Sequence, residues 1–187
     1  ASILSLIDAS KSNMNDIFKL PLSVQENPKM KQKFQNAKMK FKHVSGDHMV
    51  LYNVMQKYFN SKDQDKFCYE NFIKCKTLRS ASNKYRKMKY MSKDIIRSHV
   101  GTDFNIPHNN MKISDKIILS IACGFKLNHA TYKSGSYVTE YTKNVTLSRN
   151  SYLQSNPKFV VYNELFQSSG QTELNIVSKM SDSIVHQ

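Results

Sequence analysis

The chain has 187 residues, enough for one good core or two small ones and too few for an oversized architecture. Lysine and arginine number 28 against 14 acidic residues, a formal net charge of +14 that favours polyanionic partners through attraction to phosphate. No apolar run approaches the ~20 residues that span a bilayer, and the N-terminal "ASILSLIDAS" lacks the basic leader of a signal peptide, so the chain reads as soluble and intracellular, with no membrane partner.

In chain order, "SILSLI" reads as a helix whose apolar face wants a partner, as though the chain were a piece of a longer one. The stretch "NPKMKQKFQNAKMKFK" sets Met30, Phe34, Ala37 and Phe41 on one face, surrounded by lysines. A second helix is predicted from Met49, with Tyr52, Met55, Tyr58 and Phe59 inward. A third, "FCYENFIKCKTL", buries Cys68, Phe72 and Ile73, with Leu78 at its end. A fourth, from about Ser82, turns Tyr85, Met88 and Ile95 inward. These short amphipathic helices predict a bundle.

The stretch 100–110, "VGTDFNIPHNN", collects Gly, Pro, Asn and Asp without apolar period and is the linker candidate. Beyond it, Ile113, Ile117, Ile121 and Phe125 stand at helical spacing. The period then changes to two: "GSYVTEYTKNVTLS" reads as a hairpin turning near Lys143 and Asn144, and "KFVVYNELFQSS" and "ELNIVSKM" read as strands. The fold class is therefore α+β, helices first and a small sheet or barrel second, with domains at 1–111 and 112–187.

The chemistry is mostly exclusion. There is no Gly-rich phosphate loop and no His spacing of a metal site. Cys68, Cys75 and Cys123 are too irregularly spaced for a disulfide framework or zinc motif, and each reads as a small buried hydrophobe. Asp47 and His48, in "GDHMVLYNVM", are candidates for an acid and base pair, but adjacent helical residues diverge by about 100°. Asp47 reads better as an N-cap accepting from the first turn, with Gly46 easing the bend; His48 has no assigned role.

Basic residues carry the stronger signal. "KCKTLRSASNKYRKMK" brings Lys74, Lys76, Arg79, Lys84, Arg86 and Lys87 into one helix–turn–helix segment, with Tyr85 either stacking on a base or packed in the core. In the second half Tyr137, Tyr141, Phe159 and Tyr162 accompany Lys126, Lys133, Lys143, Arg149 and Lys158, a composition suited to single-stranded nucleic acid.

Taken together, "GDHMVLYNVMQKYF", "FCYENFIKCKTLRSASNKYRKM", "KIILSIACGF" and "FVVYNEL" resemble, in the same order, the C-terminal region of DEAH-box RNA helicases. The family pattern runs G-D-H-x-x-L-L-N-V, then W-C-x-x-N-F-x-x-x-x-S-L, then I-x-x-A-x-x-x-G-F-F, then W-V-V-Y-N-E, and similarity extends from about Ile3 to about Ser178. The resemblance implies a ratchet-like helical bundle followed by an OB-fold, which with two RecA-like motor domains absent from this chain forms a tunnel for single-stranded RNA. It implies no cofactor in this chain, ATP and magnesium in the missing motor, and docking of regulators such as G-patch proteins. A nuclear or nucleolar setting, in pre-mRNA splicing or ribosome biogenesis, is implied as well. Departures are Phe67 for the family Trp, Lys126 for the second Phe of G-F-F, Ser148 and Arg149 for a His-Pro pair, and Ser168, Ser169 and Gly170 for T-T-K. On this basis the expected RNA-binding residues are Lys76, Arg79, Arg86, Arg149, Ser168 and Ser169. The competing expectation is a non-enzymatic module that docks a protein cofactor and uses its charge for solubility.

Overall fold

In the computed structural model, helix formation in the first half follows the caps as much as the apolar period. The described residues are 1–22, 26–99, 111–168 and 170–181, with backbone alone for 94–99 and 168. The linker candidate, 100–110, lies outside them. Among the described residues the fold is α+β, with six α-helices and five strands, and it divides into two compact units. One comprises 1–40 with 51–110; the other comprises 41–50 with 111–187. Residues 41–50, placed by the sequence reading in the helical domain, belong to the second unit.

In the first unit, α1 (Ser2–Ala9) buries Ile3, Leu6 and Ile7 and packs along α5 (Cys75–His99), which buries Leu78 and Ala81. Sealing a leucine such as Leu6 from water contributes about 2 kcal/mol. A 3-10 turn, Met14–Asp16, leads to a bridge between Phe18 and Ile73. α2 (Pro28–Met39) starts where Asn27 accepts from the amides of Lys29 and Met30 and Pro28 supplies a preset φ. α3 (Asp47–Asn60) begins two residues ahead of Met49, and its part in this unit buries Leu51, Val54, Met55 and Tyr58. Tyr52 and Phe59 are only half-buried, so the inward stripe sits slightly round from the predicted one.

The third predicted helix is two elements. α4 (Gln64–Glu70), capped by Asp63, stops in a Schellman motif: the Ile73 amide donates to Cys68 O at 2.8 Å and the Phe72 amide to Tyr69 O at 3.3 Å. Phe72 takes the left-handed position, φ 54°, where glycine is usual. The freed backbone then joins the 17–19 segment, with Lys19 N donating to Phe72 O and Lys74 N to Ile17 O. α5 absorbs the end of the third predicted helix and all of the fourth, so the expected helix–turn–helix is one 25-residue helix. Of the cysteines only Cys68 is buried; Cys75 is half-buried and Cys123, in the second unit, is exposed.

In the second unit, α6 (Ile113–Gly124) buries Ile118, Ile121 and Ala122, whereas Ile113 is exposed, so its inward face is rotated from the predicted one. The strands are β1 (His129–Lys133), β2 (Ser136–Thr139), β3 (Thr146–Leu147), β4 (Phe159–Ser168) and β5 (Gln171–Lys179). They form one sheet in the order β2-β1-β4-β5-β3, antiparallel except for the parallel β3–β5 pair. The first hairpin turns at Ser134 and Gly135, ahead of the turn predicted near Lys143 and Asn144. A second reversal does occur there, with Asn144 at φ 60°. It brings Val145 back to Tyr137, and the two exchange both backbone bonds, at 2.8 and 3.0 Å. Val145 immediately precedes β3, so this pair links the two edges of the sheet. Inside lie Ala130, Tyr137, Val145, Val160, Tyr162, Leu174 and Val177.

Candidate nucleic-acid interface

Three of the expected RNA-binding residues share one face of α5. Lys76, Arg79 and Arg86 are spaced by three and seven residues, which at about 100° per residue puts them within about 80° of one another. All three are exposed. Exposed Lys87 and Tyr90 extend the same face toward the C-terminal end of the described side chains. Tyr90, 72% exposed, was missed in the sequence; its distance of four residues from Arg86 was the available signal.

The other cations of that segment are turned elsewhere. Lys74 pairs with Asp16 at 2.5 Å, and Lys84 pairs with Asp8. Tyr85 packs its ring 5.2 Å from that of Phe59, half-buried, with Lys89 over it, so it serves packing more than stacking on a ligand. Arg79 pairs with Asp65, whose carboxyl is also held by the Cys75 thiol at 2.9 Å. The thiol first, and the guanidinium after it, hold Asp65 below the usual carboxylate range. Both members of the pair are well exposed, 61% and 68%, so water screens their attraction and leaves it marginal. A phosphate can therefore displace Asp65 at little cost.

In the second unit the backbones of Arg149 and Ser168 stand at different places along the sheet. Arg149 is exposed on the segment after β3. Ser168 ends β4 opposite Gln171, at the hairpin tip, and Ser169 lies outside the described residues. Because β3 runs parallel to β5, with Thr146 beside Glu173 and Leu147 beside Leu174, Arg149 continues away from that tip. Tyr137 and Tyr162 are core. The aromatic surface is instead Tyr141, Phe166 and the half-buried Phe159, over whose ring Lys158 lies at 5.1 Å. Phe166 was not singled out in the sequence, because strand alternation alone leaves its face undecided.

Asp47 and His48 are both sealed from solvent. Asp47 is the first residue of α3, but its carboxylate accepts from the Tyr152 amide at 2.6 Å, the Val177 amide at 2.8 Å and the Ser151 hydroxyl at 2.8 Å, rather than from its own first turn. The expected cap is thus a tertiary clamp, because two buried amides from distant segments compete for the same oxygens. The capping acceptor is Ser178, whose hydroxyl oxygen takes the His48 amide at 3.1 Å and stands 3.0 Å from His48 Nδ1. Burial pushes Asp47 up to about 6 against the pull of its three hydrogen bonds, and pushes His48 down to about 4. Neither side chain reaches the surface. Among the described residues no group of three or more His, Cys, Asp or Glu is placed to hold a metal ion, and no helix is long and apolar enough to cross a membrane.

No protein-family model matches the chain. It is 26% identical over 172 residues to the probable ATP-dependent RNA helicase DHX35 of Homo sapiens, and equally to that of Pongo abelii; the match covers 89% of this chain and 22% of each relative. The chain thus spans about a fifth of the length of the curated relatives it matches. In its four ordered motifs and along most of its length, the chain resembles the DEAH-box ATP-dependent RNA helicases.

Proposed function

We propose that the chain is the C-terminal accessory region of a DEAH-box RNA helicase, a ratchet-like bundle followed by an OB-fold, which lines the path of single-stranded RNA and couples ATP-driven motor movement to RNA translocation. The observation that carries this is the helicase similarity extending through both units. The OB-fold reading is supported by the strand order, the parallel β3–β5 pair and the Tyr137–Val145 link between the edges, which is the connectivity of a five-stranded barrel. Lys76, Arg79 and Arg86 contact phosphates in this reading, with Tyr90 beside them for stacking. Arg149, Ser168 and Ser169 contact the backbone separately.

ATP and magnesium act in RecA-like motor domains outside these residues, since the sequence has no phosphate loop to hold them. A nuclear or nucleolar setting, in splicing or ribosome biogenesis, and regulation by G-patch proteins complete the proposal.

Binding of the full-length protein to single-stranded RNA across a salt series tests it. The expected result is a steep loss of affinity with rising salt, about 0.7 in log–log slope per phosphate contact. Binding that is absent or indifferent to salt sinks the proposal.

A further inference from the structure

Beside α2 the first unit has an apolar groove of about 1050 Å³ whose lining includes none of Lys76, Arg79 and Arg86. Leu22, Met30, Ala37, Tyr69, Phe72 and Ile73 supply its walls. Leu22 and Tyr69 are 76% and 86% exposed, a large apolar surface to leave in water. A second hollow of about 520 Å³ shares Lys19 and Lys74 with the first. Phe34 borders the smaller hollow and Phe72 the larger, their rings edge to face at 5.7 Å.

The rim is basic. Lys19, Lys33 and Lys40 border the larger hollow and Lys31 the smaller. The acids at these edges are already engaged, Asp16 by Lys74 and Glu70 by Lys66. α2 itself contains no acidic residue, and Lys19 and Lys33 have no ion pair among the described residues. An apolar groove under uncompensated lysines matches a segment with apolar anchors on an acidic background.

We infer that this groove docks an acidic amphipathic segment of a partner protein, its apolar anchors seated against Leu22, Tyr69 and Phe72 and its carboxylates facing Lys19 and Lys33. A recess walled by Leu22, Met30, Ala37 and Ile73 beside its aromatics takes the apolar side chains of a protein segment, which RNA does not carry. The inference is independent of the helicase reading.

The test is fluorescence anisotropy on the full-length natural protein. The probe is a fluorescein-labelled peptide of about 16 residues, rich in Glu and Asp, with Leu and Phe at i, i+3 and i+7; the control is the same peptide with those anchors as Ala. The intact peptide is expected to bind at least about tenfold more tightly. The double variant Leu22→Ala, Tyr69→Ala, which alters exposed side chains and keeps the far-UV circular dichroism of the wild type, is expected to erase that preference. Lys33→Glu is expected to weaken both peptides. Equal binding of the two peptides, or a preference that survives the double variant, overturns the inference. So does a double variant that weakens oligouridylate instead, which assigns the groove to RNA. Binding to the isolated 187-residue chain but not to the full-length protein also overturns it, because the groove is then covered by the same polypeptide.

Discussion

Asp47 and His48 are adjacent, fully buried, and opposed in how they link stability to pH. Burial raises Asp47 from 3.8 to about 6, so between those values the folded chain holds a proton that the unfolded chain releases. Its contribution favours folding in acid and is lost as pH rises from about 4 to 6. Burial lowers His48 from 6.5 to about 4, so the unfolded chain takes up a proton that the folded chain refuses. That contribution is complete above about pH 6.5 and is lost as pH falls toward 4. At about 1.4 kcal/mol per pH unit, each displacement is worth about 3 kcal/mol, and the two nearly cancel across the shared window. Asp47→Asn removes the Asp47 contribution and leaves that of His48 unopposed: relative to wild type, stability is expected to fall by about 3 kcal/mol on acidification from about pH 6 to 4. His48→Asn removes the His48 contribution and, relative to wild type, is expected to lose a similar amount on going from about pH 4 to 6.5. The side-chain amide introduced by Asp47→Asn also turns donors toward the Val177 amide and Ser151, a cost of about 1–3 kcal/mol that is constant with pH. Urea unfolding followed by far-UV circular dichroism from about pH 4 to 7 measures the slopes, and subtraction of the wild-type profile removes the other titrating groups. Variant profiles that run parallel to wild type refute the reasoning.

Gly46→Ala is expected to cost more than about 3 kcal/mol in urea unfolding, because a Cβ there sits 2.4 Å from Val177 O and 2.9 Å from Ser178 Cα, at a φ of 104°. Val145→Pro removes the amide that donates to Tyr137 O across the edges of the sheet; a loss of about 1–3 kcal/mol is expected, with reduced hydrogen-exchange protection at the Tyr137 amide, and unchanged protection counts against closure by that pair. Arg86→Ala is expected to lower the log–log salt slope of RNA binding by about 0.7, the share of one phosphate contact; an unchanged slope removes Arg86 from the interface.

What was legible in the sequence was whatever a local signal encodes. Asn27 and Pro28 announce the start of α2, a β-branched and aromatic run announces β4, and the change of period marks the passage from helices to strands. The break at Phe72 was hidden because its left-handed position carries no glycine and because its backbone is satisfied by Ile17 and Lys19, more than fifty residues earlier. The same break let α5 extend to 25 residues, which put Lys76, Arg79 and Arg86 on one continuous face instead of either side of a turn. Asp47 was misassigned for a related reason. Its donors lie 105 and 130 positions along the chain, and no local pattern reports them.

The tripeptide Gly46-Asp47-His48 is where the resemblance to the helicases is sharpest, and each of its residues has a physical explanation within the second unit. Position 46 admits no side chain because β5 passes too close, with Gly46 bridged to Ser178 and Ser45 O accepting from the Lys179 amide. Position 47 needs a carboxylate, since only two acceptor oxygens on a short stem serve two buried amides and a hydroxyl together. Position 48 hands its amide and ring nitrogen to the Ser178 hydroxyl. The most specific stretch of sequence thus fastens the start of α3 to β5 and to the 151–152 segment. In the proposed function, RNA contact falls instead to an exposed line of cations whose spacing is ordinary and whose partners are held at little cost. In that reading the binding residues are assigned from exposure and pairing in this chain itself.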